Sequence, residues 1–174
     1  MATFIKIASV TVGSGGATSM SFTSIPNTYT DLVIKISARG TDNSSNGWNQ
    51  GAITFNSSTT GYSSKLLLGR GDLSAVSFDG GTSAIDYGFY VSNSVTTSNT
   101  FASTDVYIPN YAGSNFKSVS SDTAQENNSL RGIMGFNAGL WSNSAAITSI
   151  TLERTSTWTF VENTTATLYG ISKS

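Results

Sequence analysis

The chain has 174 residues, 9 basic and 10 acidic side chains, a net charge of −1, and neither histidine nor cysteine. Those two absences exclude a Ser–His–Asp triad, a Cys–His pair, an imidazole-ligated metal and a disulfide framework. Ser, Thr and Asn fill roughly two positions in five, yet the hydrophobic share of 38% supplies enough Ile, Val, Leu, Phe and Tyr for one ordered core.

Extended stretches begin at once. Ile5 and Ile7 share one parity while Val10 and Val12 share the other, which predicts a strand with a bulge or bend around Ala8 and Ser9. Gly13-Ser-Gly-Gly16 lacks the Lys and Ser/Thr of a phosphate-binding loop and reads as a turn. Strands are predicted over 19–23 and, most clearly, over 31–39, where Leu32, Ile34, Ile36 and Ala38 line one face. The loop that follows, Asp42-Asn-Ser-Ser-Asn46-Gly47, starts like a calcium loop. It has Ile53 where such a loop needs a bidentate Glu, so an Asx-rich turn is the expectation.

Further strands are predicted over 52–55, 65–68, 75–78, 85–91, 101–108, 130–136, 147–152, 158–161 and 166–171. Arg70-Gly71-Asp72 reads as a chance turn, and Asp79-Gly80-Gly81 as a hairpin between two apolar strands. Pro26 and Pro109 each follow an isoleucine at a strand end. No window carries a 3.6-residue period. The expected fold is all-β: a single domain over 1–174, a two-sheet antiparallel β-sandwich, jelly-roll-like, of about ten strands with little or no helix.

The basic residues are scattered singly, which argues against nucleic acid as a partner. No apolar run reaches the ~20 residues of a membrane span, and the start MATFIKIASV does not read as a secretory leader. Ten carboxylates are present, but no spacing fixes a catalytic pair, so neither enzyme activity nor a cofactor or metal is expected. Trp48 lies in the polar, glycine-flanked stretch Asn46-Gly-Trp-Asn-Gln50. Its indole, with Asn46 and Asn49 beside it, has the chemistry to stack on a sugar face or anchor a protein interface; the plainer alternative is a loop Trp folded back on a sheet edge. Trp141 and Trp158 are expected in the core or a subunit interface.

Several phrases, in order, carry a resemblance. They are Lys6-Ile-Ala-Ser-Val-Thr-Val-Gly-Ser-Gly-Gly, Phe22-Thr-Ser-Ile-Pro-Asn-Thr-Tyr-Thr-Asp-Leu32, Ile53-Thr-Phe-Asn, and Ile108-Pro-Asn-Tyr-Ala. Trp141 ahead of Ala145-Ala-Ile-Thr-Ser-Ile-Thr-Leu152, and the ending Ala166-Thr-Leu-Tyr-Gly-Ile171, complete the set. Together they resemble a group of small tailed-phage virion proteins, across all but the stretch between Leu68 and Asn99.

That resemblance implies a β-sandwich subunit made in the host cytoplasm and displayed on the particle surface as a homotrimer. The leading expectation is a non-enzymatic capsid cement or decoration protein bound to the major capsid protein or a neighbouring virion protein. Residues 1–16 would be its anchoring segment, with Phe4, Ile5 and Ile7 as contacts. The alternative is a tail or head fibre module that recognises host surface glycan through Asn46, Trp48 and Asn49.

Overall fold

A computed structural model describes residues 3–128 and 131–172 of the chain. Among them run twelve strands and no helix: β1 (Thr3–Thr11), β2 (Ser19–Phe22), β3 (Asp31–Ala38), β4 (Trp48–Phe55), β5 (Tyr62–Arg70) and β6 (Leu73–Asp79), followed by β7 (Ile85–Ser92), β8 (Ala102–Ile108), β9 (Lys117–Gln125), β10 (Ile133–Trp141), β11 (Ile150–Arg154) and β12 (Thr165–Ser172). Alternating burial explains most of them. In β3, Leu32, Ile34, Ile36 and Ala38 face inward, and Lys35 and Ser37 face out.

The strands form two antiparallel sheets, one of eight in the order β1-β12-β3-β8-β9-β10-β5-β6 and one of four in the order β2-β11-β4-β7. Nested ladders reveal the plan: β1 pairs β12, β2 pairs β11, β3 pairs β8 and β4 pairs β7. That is one long hairpin wound into a sandwich, a jelly roll. The remaining four strands are insertions. The β5–β6 hairpin enters between β4 and β7, the β9–β10 hairpin enters between β8 and β11, and β5 pairs β10 to widen the large sheet.

The main core fills the space between the jelly-roll halves, with Phe22, Phe55, Phe89, Phe160, Trp141, Trp158, Leu32 and Ile34 among its members. Trp141 packs between Phe55 and Tyr62, at ring distances of 5.7 and 6.1 Å. A second cluster of Leu66, Leu68, Tyr90 and Ile133 lies beneath the insertion. Two strands meet where no side chain leaves room for a Cβ at Gly51: one there would stand 2.1 Å from the Phe89 ring.

Strand β7 reaches over the insertion by means of a bulge. Between its pairings of Phe89 with Gly51 and of Ile85 with Ile53, β7 spends three residues against one in β4. Tyr87 lies in that bulge at φ 59°, a conformation that costs a bulky residue on the order of 1–3 kcal/mol. Two groups compensate: the freed carbonyl of Asp86 accepts hydrogen bonds from Ser64 Oγ (3.0 Å) and Asn137 Nδ2 (2.9 Å). The Tyr87 ring is thereby placed on Phe78, 5.9 Å away.

Several sequence expectations need correction. The described residues hold twelve strands, in keeping with the expected sandwich of about ten, but one of them, β9, is not among the predicted stretches. The added β9 has inward residues Lys117, Val119, Ser121, Thr123 and Gln125, so its buried face carries almost no apolar signal. Lys117 donates to the carbonyls of Gly113 and Asn115, and Thr123 pairs with Thr104 across the ladder at 2.6 Å. Residues 158–161 form no strand; Phe160 makes only isolated bridges to Ala17 and Gly40, because both neighbours are loop segments too short for a ladder. Asp79-Gly80-Gly81 is not a hairpin turn. It carries the chain from β6 in the large sheet to β7 in the small one. Gly80 serves close approach there, since a Cβ would lie 1.9 Å from Ser64 Oγ. The hairpin turn of this region is instead Arg70-Gly71-Asp72, joining β5 to β6. The bulge expected near Ala8 falls at Ile7, between the Lys6–Tyr169 and Ala8–Leu168 pairs. Leu130, at the predicted start of β10, lies outside the described residues.

Candidate interaction surfaces

The outer face of the large sheet follows from register. On β1 the bulge keeps Ile7 against the core while Phe4 and Lys6 point outward, opposite Ile171 and Tyr169. Phe4 is 56% exposed and meets the Tyr169 ring edge-on at 6.3 Å. Tyr169 lies opposite Val33, which lies opposite Tyr107, so an aromatic group surrounds a valine on the outside of the sheet. The Tyr107 hydroxyl donates to Asp31 at 2.9 Å. Ile5, exposed at this rim, has the opposite parity to Phe4 and sits across from Gly170. Phe4, Ile5 and Ile7 therefore do not form one surface: the first two border the sheet edge, and the third is packed inside.

A second apolar patch lies on the insertion. Leu67 on β5 stands directly opposite Phe136 on β10, and Met134 is two residues from Phe136 on the same face. Phe136 and Met134 are 61% and 64% exposed. Around them are Ala124, Ala138, Ser77 and Asp122. The small sheet differs, since its outer face presents hydroxyls, with Ser21 and Thr151 paired across β2 and β11. Sequence reading overlooked this patch. Its signal was apolar residues on both parities of one strand, Leu66-Leu67-Leu68 and Ile133-Met134 with Phe136.

At one end of the sandwich three connections meet, 39–47, 93–101 and, through Asn127 and Arg131, the one between β9 and β10. Arg39 holds the second, its Nη1 donating to Thr96 Oγ1 (3.0 Å), Thr97 O (3.0 Å) and Thr100 O (2.9 Å). Asn93 ties the second to the first through Ser44 O (2.9 Å), and Thr97 Oγ1 ties it to the third through Asn127 O (2.9 Å). Asp42 accepts from Ser44 N and Asn49 Nδ2, both at 3.0 Å, the expected Asx turn. Hydrogen bonds from Ser44 and Asn49 hold its carboxyl below 3.8. Among the described residues no group of three or more metal-ligating side chains occurs. Arg70 and Asp72 clasp each other within their turn at 2.8 and 3.0 Å, and Arg131 Nε joins Asp72 at 3.3 Å.

The three residues proposed here from sequence separate. Asn46 is exposed in the loop, and Asn49 is committed to Asp42. Trp48 is no loop residue: it opens β4, half-buried, and its ring packs edge-to-face on Tyr90 at 5.2 Å. The physical reason is the second cluster, which needs a large side chain from β4 to cover Leu66 and Leu68. Trp141 and Trp158 are both core.

Comparison with known proteins finds no family whose model matches this chain and no curated protein that matches it.

Proposed function

We propose that this chain is a non-enzymatic structural subunit of a tailed-phage particle, a cement or decoration protein that binds the outer shell as a homotrimer and stabilises the head. The observation that carries this reading is the Leu67–Phe136–Met134 patch, exposed on the outer face of the large sheet beside Ala124, Ala138 and Ser77. An exposed phenylalanine and methionine side by side on a rigid sheet suit burial against another subunit. The aromatic group at the opposite edge, Phe4 with Tyr169 and Tyr107, provides a second contact on the same face. A subunit with two separated contacts bridges neighbours. Packed DNA pushes the shell outward, and each bridge adds area that must be broken before capsomers part; contacts of ~1,600 Å² repeated by symmetry suffice.

The resemblance to small virion proteins supports the same reading. The test is the copy number of the chain in purified particles, measured by quantitative mass spectrometry against the major capsid protein. Hundreds of copies in fixed ratio to the shell are expected. A few dozen or fewer would move the chain to a tail or a head fibre, and absence from the particle would overturn the proposal.

A further inference from the structure

The end of the sandwich where the three connections meet holds a polar cleft of about 290 Å³, lined by Ser45, Asn46, Thr97, Asn127, Asn128 and Arg131 among others. We propose that this cleft binds one neutral hexopyranose unit of a surface polysaccharide. The volume lies just below the ~300–1,000 Å³ of sites for drug-sized ligands, which suits a single ring.

The lining chemistry selects the class. Each Asn side chain brings a donor and an acceptor, the Ser45 hydroxyl brings both, and Thr97 Oγ1, whose proton goes to Asn127 O, keeps acceptor capacity, a mixture that matches a sugar's vicinal hydroxyls. None of its described lining residues carries a carboxylate. The one cation among its described lining residues is committed elsewhere: Arg131 Nε shares Asp72 with Arg70 at 3.3 Å, and Arg131 Nη1 donates to Ser45 O at 2.7 Å. A neutral sugar is therefore favoured over an acidic one.

Two further observations point to a ligand. Asn127 is 3% exposed, lines the cleft, and its Oδ1 has no partner among the described residues. The site is also held rigid before any ligand arrives. Gly47 (φ 83°) and Asn128 (φ 58°) hold left-handed conformations, and a Cβ on residue 47 would lie 3.1 Å from Asn127 Nδ2. The Arg39 bonds to Thr96, Thr97 and Thr100 fix the wall opposite. None of the described lining residues is aromatic, so a single site is weak, roughly millimolar, and repeated display on a particle supplies the avidity. The inference concerns a different end of the molecule from the apolar patch, and it stands whether the chain sits on shell or tail.

The test is saturation-transfer NMR on the full chain with glucose, galactose, N-acetylglucosamine and glucuronate as separate probes. Two variants accompany it: Asn46→Ala, and Asn128→Gly, which removes an amide while retaining the left-handed backbone. Transfer to at least one neutral sugar is expected, weakened about fivefold or more in each variant while the melting temperature stays unchanged. Three results would overturn the proposal: no transfer to any neutral sugar, equal transfer in wild type and both variants, or transfer to glucuronate alone.

Discussion

Single residues set the tolerances of this fold. Gly51 lets the outer edge of the Phe89 ring reach the backbone of β4, with Cζ 2.1 Å from where a Cβ would stand. Gly51→Ala is expected to cost about 1–3 kcal/mol by forcing Phe89 out of its place, read as a shift in the midpoint of urea unfolding at unchanged slope. Asp42 gives a pH signature. Its folded-state carboxyl titrates below the unfolded value of 3.8, so its contribution is full above 3.8 and is lost as pH falls through the lower, folded value. The Asp42→Asn variant should lose less melting temperature than wild type on acidification through that window. Equal losses would show that the Ser44 and Asn49 hydrogen bonds carry no charge-dependent stability.

At the level of elements, what was readable in advance depended on which side chains faced the core. The strand around Leu32, Ile34 and Ile36 announces itself by alternation, and the parity change from Ile7 to Val10 announces a bulge in β1 within a residue or two of its place. Strand β9 was hidden because its inner face is stabilised by hydrogen bonds, Thr123 to Thr104 and Lys117 to two carbonyls, where pattern reading looks for aliphatic residues. Trp48 misled for the converse reason. Polar neighbours in sequence suggested a loop, while its contacts, Tyr90 and the cluster below, come from β5, β7 and β10. Of the site, Asn46 was legible and Asn127, Asn128 and Arg131 were not, since only the pairing of the inserted β9–β10 hairpin with β8 brings them beside 39–47. One element is directly testable. Removing residues 1–6 leaves the Ala8–Thr11 half of the β1 ladder against Thr165–Leu168 and keeps Ile7 available to the core. The truncated protein should fold, with far-ultraviolet circular dichroism like wild type, and lose binding to shells that lack it. Retained saturation of those shells would remove Phe4 and Ile5 from the contact.

For the whole molecule, the question is which face meets another subunit. The large sheet offers Phe136, Met134 and Leu67 in the open, while the small sheet offers hydroxyls. Replacing Phe136 with Glu puts a charge at the centre of the patch, next to Asp122, without touching the core. The monomer's unfolding free energy should change by less than ~0.5 kcal/mol, as surface substitutions do. Association measured by analytical ultracentrifugation, and occupancy on particles, should fall at least tenfold, the equivalent of about 1.4 kcal/mol. An unchanged assembly would turn attention to the Phe4–Tyr169 corner.

The nesting of ladders also governs how the chain comes off the ribosome. Strand β12, made last of the twelve, lies between β1 and β3 inside the large sheet, and pairs with both over nearly their whole lengths. Until it emerges, β3, with Leu32, Ile34 and Ile36 on its inner face, has one edge bare, and β1 has no ladder partner. Synthesis at about 5–20 residues per second leaves that edge open for seconds, long enough for neighbouring nascent chains to pair with it. Such a protein closes its large sheet only once β12 has emerged, and its yield in the cell becomes a race between that closure and meeting a stranger's strand.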